Sequence, residues 1–460
     1  MATSLPLHIS RSVPDEPTTP YHQYVYAYPH QKAYRLEADR PLLTDVWAGE
    51  RLDSLSLYVH IPFCEMRCGF CNLFTRTGAP EDVTRAFLST LERQAGATRQ
   101  ALEANGDPRF TLAAFGGGTP TYLTADELAR LCDICENVMG ADLGAIPWSV
   151  ETSPATATPD RLAVLAERGA TRLSIGVQSF VEEEARAAVR PQKRKEVEAA
   201  LTRLKEAAFP ILNIDLIYGI DGQTEQSFKV SLDAALSWEP EEIYLYPLYV
   251  RPLTGLMDRH DKSTADWDEQ RLGLYRFGRD HLLAAGYRQT SMRVFSRIGT
   301  AAVEAAGDSS ISEYNQQAGM VGLGVGARSF TTDLHYTTDY AVAVPEVRRI
   351  IDDYIATPTD EFRRTQWSFR MDDDERRRMS VLSMLLEAEG LHTELYRGRF
   401  GSLPQDDFPA QFALLGERGW LDRDGGLLRL TPEGMAWADA IGPLFFSSRV
   451  NEAMSSYQDR

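Results

Sequence analysis

From residue 55 onward, short apolar runs alternate with longer stretches whose apolar residues recur every three or four positions. The runs are "LSLYVHI" (55–61), "FTLAAFGG" (110–117), "PWSVETS" (147–153), "ATRLSIGVQ" (170–178), "ILNIDLIYG" (211–219) and "EIYLYPLYV" (242–250). Short, β-branched and aromatic, and bounded by Gly, Pro or Asp, they predict strands. Between them, 82–102, 124–138, 159–169, 194–208 and 224–238 carry the helical period. Six strands alternating with helices predict βαβ units and a parallel sheet. The fold class is therefore α/β, a partial (β/α)6 barrel over 51–250, open rather than closed by eight units. In such sheets chemistry sits at the C-terminal ends of the strands.

The flanks read differently. Residues 1–50 are rich in Pro, Tyr and His and predict an irregular N-terminal arm. Residues 251–340 are mixed, with the Gly-rich "GMVGLGVGARSF" (319–330), and predict an extension of the core. Residues 341–460 predict a small C-terminal α+β domain of winged-helix type. There two helical stretches precede "GWLDRDGGLLRLTPEG" (419–434), a hairpin with a Gly-Gly turn.

A net charge of -18 disfavours nucleic-acid and anionic-membrane partners, which require a basic face. The N-terminus lacks a signal-peptide run, and no stretch approaches the roughly 18 apolar residues of a membrane helix. A cytoplasmic protein is expected. Thiols stay reduced there, so clustered cysteines point to metal or catalysis rather than disulfides.

Three of the five cysteines crowd into "HIPFCEMRCGFCN" (60–72), directly after the first predicted strand. Cys64, Cys68 and Cys71 have a spacing that wraps one loop around three corners of an iron–sulfur cube. No fourth cysteine is near, which leaves one iron open to another ligand. Zinc, held by three thiolates and water, is the rival metal. Cys132 and Cys135 stand three apart on an apolar helix stripe and read as core. His60 reads as shaping the loop.

The C-x3-C-x2-C loop after the first strand of a βα barrel resembles the radical S-adenosylmethionine (SAM) superfamily. "YVHIPFC", "FGGGTPTYL", "SVETSP", "LSIGVQSF", "NIDLIYGI" and "GLGVGARS" together resemble its oxygen-independent coproporphyrinogen III dehydrogenase (HemN) group and the haem-chaperone relative (HemW). The resemblance implies a [4Fe–4S] cluster on Cys64, Cys68 and Cys71, whose open iron binds SAM. One electron then cleaves the sulfonium to a 5′-deoxyadenosyl radical. It implies SAM contacts from the Phe70 backbone, from Gly117, Gly118 and Thr119 through free amides, from Glu151 and Asp215 to ribose, from Gln178, and from Arg190 to the carboxylate. Tyr58 is implied near a second SAM, with a place in the core as its alternative, and Gln178 also lines the site; both are the catalytic candidates. The 251–340 extension is implied to complete the active site. Partners would be a small-molecule substrate and an electron donor such as flavodoxin or ferredoxin, and a monomer is expected.

The chain also departs from that group. Leu73 stands where the group has a further cysteine, Asp221 where it has proline, and Arg328 where it has an apolar residue. Gln316 aligns loosely with its second-SAM glutamine, and the haem chaperone's histidine motif is missing before the Gly-rich run. Oxidative decarboxylation of a porphyrinogen propionate is the reaction implied. A HemN-like methyltransferase or cyclopropanase and a haem chaperone are the alternatives.

Overall fold

The computed structural model describes residues 16–257, 264–300 and 319–458; Gln316 lies outside them. The six apolar runs become strands β1 (Leu55–Ile61), β2 (Phe110–Gly117), β3 (Trp148–Thr152), β4 (Arg172–Gln178), β5 (Ile211–Tyr218) and β6 (Glu242–Pro247). They lie side by side in chain order and run parallel. The crossovers are α1 (Glu81–Glu103), α2 (Ala125–Asp133), α3 (Pro159–Glu167), α4 (Glu182–Ala187), α5 (Arg194–Ala207) and α6 (Glu225–Leu236), with α7 (Thr264–Ala284) after β6. Local chemistry sets the helix starts. Thr124 accepts from the Glu127 amide while the Glu127 carboxylate accepts from the Thr124 amide, a capping box that opens α2. Pro159 opens α3, where its missing N–H costs nothing. The result is a partial (β/α)6 barrel.

Strand parity decides what fills it. Ser56, Tyr58 and His60 share one face of β1, while Leu57, Val59 and Ile61 share the other. The polar face is the concave one. The Tyr58 hydroxyl on β1 and the Glu151 carboxylate on β3 both come within 3.2 Å of the place a Cβ on Gly116 would take, across the intervening β2. Arg172 on β4 likewise pairs with Glu242 on β6 across β5. Charged groups this buried require partners, and a barrel interior built of them is prepared for polar contents.

The 251–340 region extends the sheet at both edges. After β6, β7 (Tyr287–Gln289) and β8 (Val294–Arg297) form an antiparallel hairpin. Before β1 stand β9 (Met320–Leu323), parallel to β1, and the antiparallel β10 (Arg328–Phe330), β11 (Leu334–Thr337) and β12 (Trp367–Arg370). Helix α8 (Val344–Ala356) packs on α1, with Phe87 and Tyr354 ring centroids 5.3 Å apart and Arg93 donating to the Thr357 carbonyl at 2.7 Å. The expected boundary at 341 therefore moves to 371: the buried stripe Val347, Ile350, Ile351 and Tyr354 ties this segment to the barrel.

A second compact unit comprises the described residues of 1–34, 290–292 and 371–457. Its order is α9 (Asp373–Leu385), β13 (Leu391–His392), α10 (Thr393–Phe400), α11 (Pro409–Glu417), then hairpin β14 (Leu421–Asp424) and β15 (Leu427–Leu430). The three strands form one sheet, the helix–strand–helix–helix–hairpin order of a winged helix. Gly425 and Gly426, at φ 53° and 93°, make the turn that other residues resist.

The arm's residues up to 34 belong to this unit rather than forming a separate element. Buried Tyr28 donates its hydroxyl to Glu375 on α9, and Ser447 donates to the other Glu375 oxygen at 2.8 Å. Burial raises the Glu375 pKa above the usual carboxylate range. Tyr28→Phe removes one of these donors and is expected to lower stability by about 1–3 kcal/mol. Thermal unfolding of the variant checks this; an unchanged melting temperature contradicts the clasp. Among the described residues, no helix is long and apolar enough to cross a membrane.

Candidate functional site

The cysteine loop leaves β1 at its C-terminal end, the end at which βα barrels carry chemistry. The loop is pinned from two sides. Gly69 N–H donates to the Ala188 carbonyl at 3.1 Å, and Leu256 N–H donates to the Gly69 carbonyl at 2.9 Å. Phe70 packs its half-buried ring on Ala188, Ile217, Ile220, Leu248 and Leu256. Cys68 is buried, and Cys64 and Cys71 are partly so.

Burial pushes the Cys64 and Cys71 thiols up, and the neighbouring cysteines push the same way. Each thiol has a polar side chain beside it. Cys64 shares a hydrogen bond with the Thr119 hydroxyl at 3.3 Å, Arg190 Nη1 donates to Cys68 Sγ at 3.0 Å, and Cys71 lies 4.0 Å from the Thr75 hydroxyl. Three sulfurs so placed suit an acceptor that draws off their protons, as iron does. Among the described residues no three His, Cys, Asp or Glu side chains converge on a single ion.

The floor of the site is Gly117–Thr119 at the end of β2. Gly117 has φ 108°, and a Cβ there would stand 2.5 Å from the His60 ring. A Cβ on Gly118 would meet the Phe63 carbonyl at 2.5 Å. Only glycine allows the strand to pass under the cysteine loop. The amides expected to be free here are not. Gly118 N–H donates to the Ile61 carbonyl at 2.8 Å, and Thr119 N–H to the Phe63 carbonyl at 2.7 Å. The loop itself uses them.

Along the concave face the other expected residues come together. Tyr58 is buried with its hydroxyl 3.4 Å from His60 Nδ1. His60 Nε2 lies 3.3 Å from the Phe74 carbonyl, and burial with the nearby Arg328 cation lowers its pKa to about 4. The ring is thus neutral and holds the loop. Gln178 sits past a register shift in the β4–β5 ladder at φ 69°, a left-handed conformation costly for a non-glycine. Its Oε1 is buried and has no hydrogen-bond partner. Asp215 accepts from Asn213 Nδ2 at 2.7 Å, and Asn213 Nδ2 also donates to Ser174 at 3.2 Å. Asn213 Oδ1 is a second buried amide oxygen without a partner. Unsatisfied buried acceptors are rare, and in a site they ask for a ligand's donors.

Arg190 lies three residues beyond the end of α4 and is 7% exposed. Besides Cys68, it donates through Nη2 to the Gly176 carbonyl at 2.6 Å and through Nε to Gln192 Oε1 at 3.0 Å. Sequence reasoning missed Gln192, Asn213 and Thr75. Asn213 had a signal, since it stands two residues before Asp215 and so shares its strand face. Cys132 and Cys135 are fully buried, as core should be, and burial pushes Cys132 up to about 12.

A family model for the radical SAM superfamily matches residues 58–235. The chain is 26% identical over 381 residues to the heme chaperone HemW of Bacillus subtilis, covering 82% of this chain and 96% of that one. It is 28% identical over 410 residues to an oxygen-independent coproporphyrinogen III oxidase of Paracoccus denitrificans, covering 85% and 86%. The chain is similar to HemN-like radical SAM proteins. Its fold agrees: the structure of coproporphyrinogen III oxidase (HemN) from Escherichia coli superposes with a TM-score of 0.75 at 24% identity, over 92% of this chain and 96% of that one. The match over 58–235 begins on β1 and ends in α6, so it takes in the cysteine loop, the Gly117–Thr119 floor, Glu151, Gln178, Arg190 and Asp215. HemN-like relatives include both an oxidase and a chaperone, and the site chemistry must distinguish them.

Proposed function

We propose that this chain is a radical SAM enzyme in which Cys64, Cys68 and Cys71 hold a [4Fe–4S] cluster and the concave face of the barrel holds SAM. The observation that carries the reading is the placement of three thiols at the C-terminal mouth, over a polar face where Gln178 Oε1 and Asn213 Oδ1 are buried without partners. When bound, the cluster and SAM supply one-electron cleavage of a sulfonium and a 5′-deoxyadenosyl radical that takes hydrogen from substrate.

The residues of this chain orient and enclose. Glu151 and Asp215 are carboxylates suited to accept from ribose hydroxyls, and Gln178 offers an amide oxygen beside them. The Phe70 backbone would contact the SAM adenine. Gly117 and Gly118 let the loop close over the floor, and the Thr119 hydroxyl is directed to Cys64 rather than outward. Arg190 sets a buried cation at the cluster edge, within reach of a SAM carboxylate. Tyr58 stands on the face that substrate or a second SAM would meet. An electron enters from a small donor of flavodoxin or ferredoxin type.

The substrate class that best fits is a porphyrinogen bearing propionates, oxidatively decarboxylated. The oxidase relatives support it, and because Leu73 and Arg328 depart from that group, coproporphyrinogen III itself is expected to be a slow substrate. A haem chaperone is the second reading, supported by the HemW relative over 96% of its length. The test is anaerobic incubation with coproporphyrinogen III, SAM and dithionite, followed by mass spectrometry. Porphyrinogen-dependent 5′-deoxyadenosine with slow loss of carboxyl groups is expected. A Soret band on adding haem, with no porphyrinogen-dependent 5′-deoxyadenosine, would transfer the assignment to the chaperone.

A further inference from the structure

We propose that Arg190 is a positioning residue for the cluster itself: through Cys68 it sets how readily the cluster accepts its electron, and Gln192 holds it in place for that task. This rests on the radical SAM reading and adds a role to the SAM contact considered above.

The geometry is specific. All three nitrogens of the Arg190 guanidinium are engaged within the protein. Nη1 donates to Cys68 Sγ at 3.0 Å, Nη2 to the Gly176 carbonyl at 2.6 Å, and Nε to Gln192 Oε1 at 3.0 Å. Gln192 is itself anchored, donating to the Val177 carbonyl at 2.5 Å and the Ser179 carbonyl at 3.2 Å. The side chain is thus tied at both ends of the bulge that closes β4, and it is buried. Of the three cysteines, Cys64 meets the Thr119 hydroxyl, and Cys71 meets the Thr75 hydroxyl and the Leu73 backbone N–H. Cys68 alone receives a charged donor among the described residues.

Hydrogen bonds and charge at cluster sulfurs are established levers on reduction potential. Reduction adds one negative charge to the sulfur shell, and a fixed guanidinium favours the state with more negative charge. Burial keeps solvent from screening that effect. Arg190 therefore raises the potential and eases entry of the electron on which the chemistry depends. A guanidinium has five N–H donors, so the Cys68 contact leaves N–H groups for a SAM carboxylate.

The test is the midpoint potential of the reconstituted cluster in the full chain, followed by EPR at a series of solution potentials and measured without SAM. Leaving SAM out removes any effect that acts through its carboxylate. Arg190→Gln is expected to reduce the ratio of reduced to oxidised cluster about tenfold at a given potential, a midpoint about 59 mV more negative. Arg190→Lys should fall between that value and wild type. Gln192→Leu leaves the cation but frees it, and should shift the midpoint in the same direction by less. Wild-type midpoints in Arg190→Gln and Gln192→Leu overturn the proposal. If Arg190→Gln does not assemble a cluster, the Gln192→Leu value decides alone. A wild-type protein that takes up no cluster refutes the radical SAM reading instead, so the two failures are distinct.

Discussion

Changing Cys64, Cys68 and Cys71 together to Ala is expected to take iron from about four per chain to near zero after anaerobic reconstitution. The brown chromophore should vanish with it. The control is Cys132→Ala with Cys135→Ala, which should leave iron unchanged. Those two thiols, on α2 and just after it, are fully buried. Their loss should cost about 1 kcal/mol each, as for removal of a methyl-sized group from a packed site. Iron assay and absorbance read the first effect, and thermal unfolding reads the second. Iron loss in the control would mean that the ligands are misassigned. Zinc retained in the reconstituted wild type in place of iron would favour the rival metal.

Glu151→Ala should weaken SAM binding tenfold to hundredfold while leaving iron in place. A hydrogen bond to a charged carboxylate contributes about 1.5–3 kcal/mol, and each 1.4 kcal/mol is about tenfold in affinity. Glu151 and Tyr58 flank Gly116, apart from the cysteine loop, so the cluster should not register the change. Glu151→Gln keeps one carbonyl acceptor and should fall between. Calorimetric SAM binding to the reconstituted variants decides it. Wild-type affinity in Glu151→Ala would remove the ribose contact from the account.

The barrel was legible because its strands are apolar runs bounded by turn residues, and its helices keep one period. β1 and β2 run over the residues predicted, Leu55–Ile61 and Phe110–Gly117. The place of the three cysteines was legible because their loop follows directly on the first predicted strand. The sheet extensions were less so. β9 to β11 are three or four residues each, too short for alternation to register, and β9 finds its partner at β1, far away in sequence. The arm was opaque because Tyr28 finds partners in Glu375, which is 347 positions along the chain, and in Ser447.

Contacts at the site divide the same way. The pairing of Asn213 with Asp215 follows from strand parity and could have been read. The use of the Gly118 and Thr119 amides by the loop, and of Arg190 by Cys68, could not. Both depend on how the loop after β1 folds back over β2 and β4, which no local pattern encodes.

The central claim is that this barrel cleaves SAM reductively at a cluster on Cys64, Cys68 and Cys71. The direct measurement is 5′-deoxyadenosine by liquid chromatography and mass spectrometry, after anaerobic incubation of reconstituted protein with SAM and dithionite. The account predicts 5′-deoxyadenosine and methionine from the wild type, and neither from the triple cysteine variant. Intact SAM after incubation with wild-type protein carrying four irons would contradict it.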